Sequence, residues 1–81
     1  MPFVSVKAIE GVFSTEQKQQ IVQKITDVLV EIEGEKLRPI TWVVIEEIKG
    51  GSWGIAGNCL NSEHVRAVQS GAVKLTDALG L

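Results

Sequence analysis

Side chains alternate one by one at the start of the chain, with Phe3, Ser5 and Lys7 on one side and Val4, Val6 and Ala8 on the other, before Ile9 and Glu10 close the run. A period of two is the mark of a strand with one better-buried face, here the face of Val4, Val6 and Ala8. Gly11 ends the strand. Ser14-Thr15-Glu16-Gln17 then reads as a capping box, with Ser14 as N-cap and Gln17 three positions on. From that point the spacing becomes helical. Ile21, Val22, Ile25, Val28, Leu29 and Ile32 form a stripe, and the intervening Lys18, Gln19, Lys24 and Asp27 are polar. Gly34 suits the C′ position.

Pro39 disfavours helix at Arg38, so this pair is predicted to lie in a connecting loop. Ile40 to Ile48 is β-branched and almost continuously apolar, the pattern of a parallel strand buried on both faces. Strand, helix, strand makes a right-handed βαβ unit. Lys49-Gly50-Gly51-Ser52 is a turn, and Trp53 to Gly57 is a short irregular or hairpin segment. A second helix is expected from Asn61 or Ser62 to about Leu79, on a stripe of Val65, Val68, Ala72, Leu75 and Leu79. Gly71 weakens that helix by ~1 kcal/mol relative to Ala. The class is α/β: a β-α-β unit, a short hairpin segment and an added C-terminal helix.

The 81 residues make one small domain, and a 44% hydrophobic, 22% charged composition excludes a disordered chain. Eight Lys and Arg against ten Asp and Glu leave a net charge of −2 without a basic stripe, so a nucleic-acid partner is not expected. No apolar run reaches the ~18–20 residues of a membrane span and no signal-peptide pattern is present, so the expected location is cytoplasmic. Cys59 is the single cysteine, which excludes an intrachain disulfide and a two-cysteine metal knuckle. A domain of this size buries only roughly 60% of the surface its unfolded chain exposes. With disulfide and metal both set aside, self-association is the remaining source of stability. Two strands under one helix also leave a sheet face and two edges bare, which points to an even-numbered homo-oligomer.

Most candidate chemistry reads as structural. His64 is expected to be a solvated helix residue, and Cys59 a small buried hydrophobe. Gly50-Gly51 and the Gly54/Gly57 pair lack the Lys-Ser/Thr of a phosphate loop. Glu46 and Glu47 are neighbours on a strand and point to opposite faces, a poor acid–base pair. Pro2 is different. A small second residue permits removal of Met1, and removal exposes a prolyl secondary amine at the start of a strand that enters the core. An apolar pocket disfavours the ammonium and lowers its pKa, so such an amine moves protons near neutral pH.

Pro2-Phe3-Val4 to Glu10-Gly11, then Ser14-Thr15-Glu16-Gln17-Lys18, then Thr41-Trp42-Val43-Val44-Ile45-Glu46-Glu47, then Trp53-Gly54-Ile55-Ala56-Gly57 resembles, in order and spacing, the 4-oxalocrotonate tautomerase family. The likeness covers residues 2–60 of a single domain spanning 1–81, and leaves 61–81 as a C-terminal helical extension. It implies a β-α-β tautomerase-like fold, dimers that assemble into hexamers, and catalysis without a cofactor or metal by the N-terminal proline, Pro2. Trp53 matches the family's pocket aromatic, and a backbone N–H near Ile9 is expected to polarise the substrate oxygen. Two departures stand out. Val12 and Trp42 occupy the places of the family's two carboxylate-binding arginines, so a dianionic substrate is disfavoured. Arg38, Lys7 and Lys49 are the cations left near the expected site, Lys7 reading as a solvated sheet-edge residue. Trp42 and Arg38 join Ile9 and Trp53 as expected substrate contacts.

The resulting expectation is a tautomerase interconverting enol and keto forms of a small 2-oxo acid. The alternatives are a dehalogenase- or hydratase-like lyase acting on an unsaturated acid, and a non-catalytic oligomeric binding protein. The lyase ranks lower because its substrate would need the missing arginines.

Overall fold

The computed structural model describes residues 1–74 and Asp77. Its elements are β1 (Phe3–Ile9), α1 (Thr15–Glu33), a 3₁₀ helix (Glu35–Ile40), β2 (Trp42–Ile48), β3 (Trp53–Ile55), β4 (Asn58–Leu60) and α2 (Ser62–Gln69). Strands β1 and β2 pair with each other, and β3 and β4 form a second two-stranded sheet. The Trp42 N–H donates to the Pro2 carbonyl (3.1 Å) where both long strands begin, and Glu10 N–H donates to the Ile48 carbonyl (2.8 Å) where both end. That order makes the pair parallel, with Phe3 beside Trp42 and Ile9 beside Ile48 in one constant register. The β-α-β unit is therefore present as expected, and the chain divides into two compact units.

The first unit comprises Met1–Lys7 and Phe13–Glu46. Its helix α1 starts on the predicted capping box: Gln17 N–H donates to Ser14 Oγ (3.1 Å), and Ser14 N–H donates to Gln17 Oε1 (2.8 Å). It ends at Gly34, whose φ of 103° no other residue type adopts readily and whose N–H closes on the Val30 carbonyl (2.8 Å). The apolar stripe proves to be two lines. Val22, Leu29 and Val30 are half-buried or buried, whereas Val28 and Ile32 are 57% and 81% exposed. At about 100° per residue these lines lie on adjacent faces, and two strands only ~4.8 Å apart are too narrow to cover both.

The expected loop at Arg38-Pro39 is instead a short 3₁₀ helix, and β2 begins at Trp42 rather than Ile40. Proline is tolerated there because the turn's bonds are donated by Leu37 (to Gly34, 3.1 Å) and Thr41 (to Arg38, 3.2 Å), not by residue 39. The Thr41 hydroxyl, bonded to the Leu37 carbonyl (2.8 Å) and the Glu33 carboxylate, fastens the turn to the end of α1. Strand β2 departs from its expectation too. Val43 and Ile45 are half-buried, but Trp42 is 53% and Phe3 beside it 63% exposed, and Val44 is exposed as well. Ile45 shares a groove with Thr15, Lys18 and Val22 of α1, so the helix lies on that side and the opposite face of the strand is bare.

The second unit comprises Ala8–Val12 and Glu47–Leu81. Ile9 and Leu60 form its core, with Val12, Trp53 and Val65 packed against them. β3 and β4 join through Ala56 (φ 51°) and Gly57 (φ 83°), two successive left-handed residues between the paired Ile55 and Asn58, the geometry of a type I′ hairpin turn. Helix α2 starts on a second capping box. Asn61 Oδ1 accepts the N–H groups of Glu63 (3.0 Å) and His64 (3.2 Å), and Asn61 N–H donates to His64 Nδ1 (3.1 Å). His64 is thus a half-buried capping residue and not a solvated one. α2 also ends sooner than expected, at Gln69: Gly71 takes a φ of 76° and donates its N–H to the Val68 carbonyl (3.1 Å). Leu75 and Leu79 of the predicted stripe lie outside the described residues.

Candidate active site

Pro2 sits immediately before β1, half-buried, with its carbonyl engaged by the Trp42 N–H and its ring nitrogen outside the strand ladder. A cleft of about 270 Å³ opens beside it, lined by Met1, Pro2, Phe3 and Trp42. Its walls are apolar, and the Phe3 and Trp42 rings stand 6.4 Å apart, tilted at 39°. Parallel register is what brings Trp42 here, because it starts β2 at the point where Pro2 starts β1. Met1 is exposed, so the bond that must be cut to free the proline amine is accessible. A larger groove of about 600 Å³ lies along α1, lined by Thr15, Lys18, Gln19, Val22, Gln23 and Ile45. Its lining is a hydroxyl, two amides, one lysine and two apolar side chains, whereas the smaller cleft borders Pro2 and is the candidate.

The other expected site residues are placed elsewhere. Ile9 is the last residue of β1 and belongs to the second unit. There it forms the core with Leu60, and Trp53 packs on that core. Within the first unit Pro2 is grouped with Trp42, and within the second Ile9 is grouped with Trp53.

Arg38 belongs to neither group. Its Nε donates to Glu35 Oε1 (2.6 Å), its Nη2 to Glu35 Oε2 (3.3 Å) and its Nη1 to Asp27 Oδ1 (2.9 Å). The bond from Arg38 holds the Glu35 carboxyl below its ordinary value, against smaller opposing contributions from desolvation and Asp27. The bonds to Glu35 and then Asp27 hold the guanidinium above its own. Within this chain the Arg38 fork is engaged by two carboxylates rather than turned to either group of expected contacts.

Lys7 is exposed on β1, as a solvated position should be. Cys59 is exposed rather than buried, because the alternation of β4 turns Leu60 inward and its neighbour out. Val12 packs against the Ile9–Leu60 core, with its N–H on the Ile9 carbonyl (3.2 Å). Among the described residues no three His, Cys, Asp or Glu side chains cluster to hold a metal, and no helix there is long and apolar enough to cross a membrane.

Two residues at the end of β1 escape sequence reasoning. Glu47 Oε2 accepts the Gly11 N–H (3.2 Å), and Arg66 Nη2 donates to the Gly11 carbonyl (2.7 Å). The second contact joins residues 55 positions apart. No local spacing announces it; a cation next to the apolar Val65 was the one available signal.

Residues 2–62 match the model of the tautomerase enzyme family. The chain belongs to the tautomerase family. It is 33% identical over 67 residues to "Probable tautomerase K2" of Dickeya dadantii, covering 83% of this chain and 98% of that protein. A probable tautomerase of Staphylococcus aureus is 42% identical over 57 residues, covering 70% of this chain and 90% of its relative. The crystal structure of DmpI from Helicobacter pylori superposes with a TM-score of 0.61 at 28% identity, covering 80% of this chain and 96% of that one. The tautomerase match begins at Pro2 and stops at the first residue of α2, so Glu63 to Gln69 of that helix lie beyond it.

Proposed function

We propose that this tautomerase-family chain interconverts the enol and keto forms of a small 2-oxo acid without a cofactor, using Pro2 as the proton-transferring base after loss of Met1. One observation carries the reading: residue 2 borders an apolar cleft lined also by Phe3 and Trp42, while its carbonyl is engaged by the Trp42 N–H. The amine is free for chemistry and its neighbourhood favours the neutral form. In the reaction the amine lone pair takes the enol O–H proton and the oxygen electrons close the C=O bond. The displaced C=C pair collects a proton at the adjacent carbon from the prolinium, which returns to its starting state.

The active assembly contains more than one chain. Pro2 is grouped with Trp42 in the first unit, and Ile9 with Trp53 in the second. A second copy running antiparallel alongside would set the first pair of one chain against the second pair of its partner. The bare apolar face of Phe3, Trp42 and Val44 supports burial against further copies, and a hexamer is the expected form. Sedimentation equilibrium tests this: a folded, active monomer at micromolar concentration would remove it.

Substrate class follows from the lining. With Val12 on the core and Trp42 on the cleft, an aromatic monoanion such as phenylenolpyruvate should be preferred over the dicarboxylate 2-hydroxymuconate. Loss of one charge-assisted hydrogen bond weakens binding by roughly ten- to a hundredfold. The comparison is the ratio of kcat/KM for the two, and a strong preference for the dicarboxylate would overturn the reading.

A further inference from the structure

Arg66 lies on α2, beyond the stretch shared with the tautomerase family model. Its Nη2–H donates to the Gly11 carbonyl at 2.7 Å, a charge-assisted bond between the added helix and the turn that ends β1. The residue before it, Val65, packs on the Ile9–Leu60 core together with Trp53 and Val12. The guanidinium is therefore held beside the cluster that contains two of the expected substrate contacts, Ile9 and Trp53. The Gly11 bond uses one of five N–H donors, and among the described residues no carboxylate or other group takes the rest. Glu47 accepts from the N–H of the same glycine, so Gly11 is fixed from both sides.

Other cations are less suited. Arg38 has given its fork to Glu35 and Asp27. Lys49 and Lys74 are exposed ammonium groups without the planar, two-pronged geometry that matches a carboxylate. Arg66 combines an anchored position, a planar fork and uncommitted donors.

We infer that Arg66 is the specificity-determining residue that receives the carboxylate of the 2-oxo acid, with the apolar body of the substrate on the Trp53 side. The inference rests on the tautomerase reading above, in which a second copy of the chain supplies the proline, and adds to it the group that recognises the acid. The Gly11 carbonyl positions the guanidinium, and an anion bound to it gains a charge-assisted pair that a neutral analogue does not.

The test compares the enol of phenylpyruvate with the enol of its methyl ester, in the unsubstituted protein and in Arg66→Gln, Arg66→Ala and Arg66→Lys. The unsubstituted protein should favour the acid. In Arg66→Gln and Arg66→Ala, kcat/KM for the acid should fall by about ten- to a hundredfold, mainly through KM, while the value for the ester should fall far less, so that the acid-to-ester ratio drops. Arg66→Lys should recover part of the loss, since it restores charge but not the fork. Far-ultraviolet circular dichroism checks that each variant is folded. A role confined to fastening α2 would lower the unfolding temperature and act on both substrates alike, which would overturn the inference. Should no variant fold, the unsubstituted protein still decides: equal kcat/KM for acid and ester overturns the inference while leaving the tautomerase reading intact. Turnover of neither enol, with Pro2 exposed by mass spectrometry, would overturn both.

Discussion

Replacing Pro2 by alanine isolates the proposed base. Alanine at the second position still allows removal of Met1, and it keeps the carbonyl that accepts the Trp42 N–H at 3.1 Å. The strand pair therefore keeps its first bond. What is lost is the ring of a half-buried residue and the secondary amine. Folding stability should change by no more than about 0.5 kcal/mol, as for other substitutions away from a core. Catalysis should suffer far more. A positioned base contributes ~10²–10⁴ in rate, equivalent to about 2.7–5.4 kcal/mol of barrier, and the flexible primary amine of the substituted alanine would recover a small part of it. The assay is loss of enol absorbance under kcat/KM conditions across pH, after mass spectrometry has shown that Met1 is absent. Activity should rise with pH as the amine deprotonates. Apolar cleft walls should move that midpoint below the value of a fully solvated prolyl amine. A Pro2→Ala protein as active as the parent on every enol tried would refute the reasoning, and so would full activity in protein that retains Met1.

Three further outcomes concern stability. Ala56 holds a left-handed φ of 51° in the hairpin turn, a conformation costing ~1–2 kcal/mol for a residue with a Cβ; Ala56→Gly should stabilise by roughly 0.5–1 kcal/mol after the backbone entropy of glycine is set against it, and an unchanged or lower urea midpoint would contradict the turn assignment. Ser14→Ala removes the acceptor of the Gln17 N–H and should cost about 1 kcal/mol, read as a lower midpoint at unchanged slope. The Glu35 carboxyl is held below its ordinary value by Arg38, so its contribution is fully present above ~4.3, the unfolded value. That contribution is lost as pH falls through the lower folded value. Arg38→Gln should flatten this acid limb of the stability profile, and the effect should be small because the cluster is exposed.

Local chemistry was legible without coordinates wherever the deciding interaction was local. The period-two run of β1, the Ser14–Gln17 box and the order β-α-β all rest on neighbours within a few positions. They stand as read. Pro2 was likewise singled out by its place in the chain, without any tertiary contact. The helix stripe was legible as apolar but not as two lines, because which line turns inward depends on the width of the sheet beneath it. The same is true of β2, whose continuous apolar run implied burial on both faces while one chain supplies cover for one.

Tertiary structure alone decided which of the candidate residues meet. Parallel register set Trp42 beside Pro2, and the packing of the second unit set Trp53 beside Ile9. Arg38 looked available because its partners, Asp27 and Glu35, are ordinary surface acids in sequence; only the fold of the 3₁₀ turn onto α1 brings their carboxylates to its fork. Arg66 looked unremarkable for the opposite reason. Its partner is the Gly11 carbonyl, a backbone atom that no residue identity records, and 55 positions of intervening chain must fold before the two are neighbours. Long-range contacts with the backbone carry no sequence signature, and in this small protein they determine where the anchored positive charge ends up.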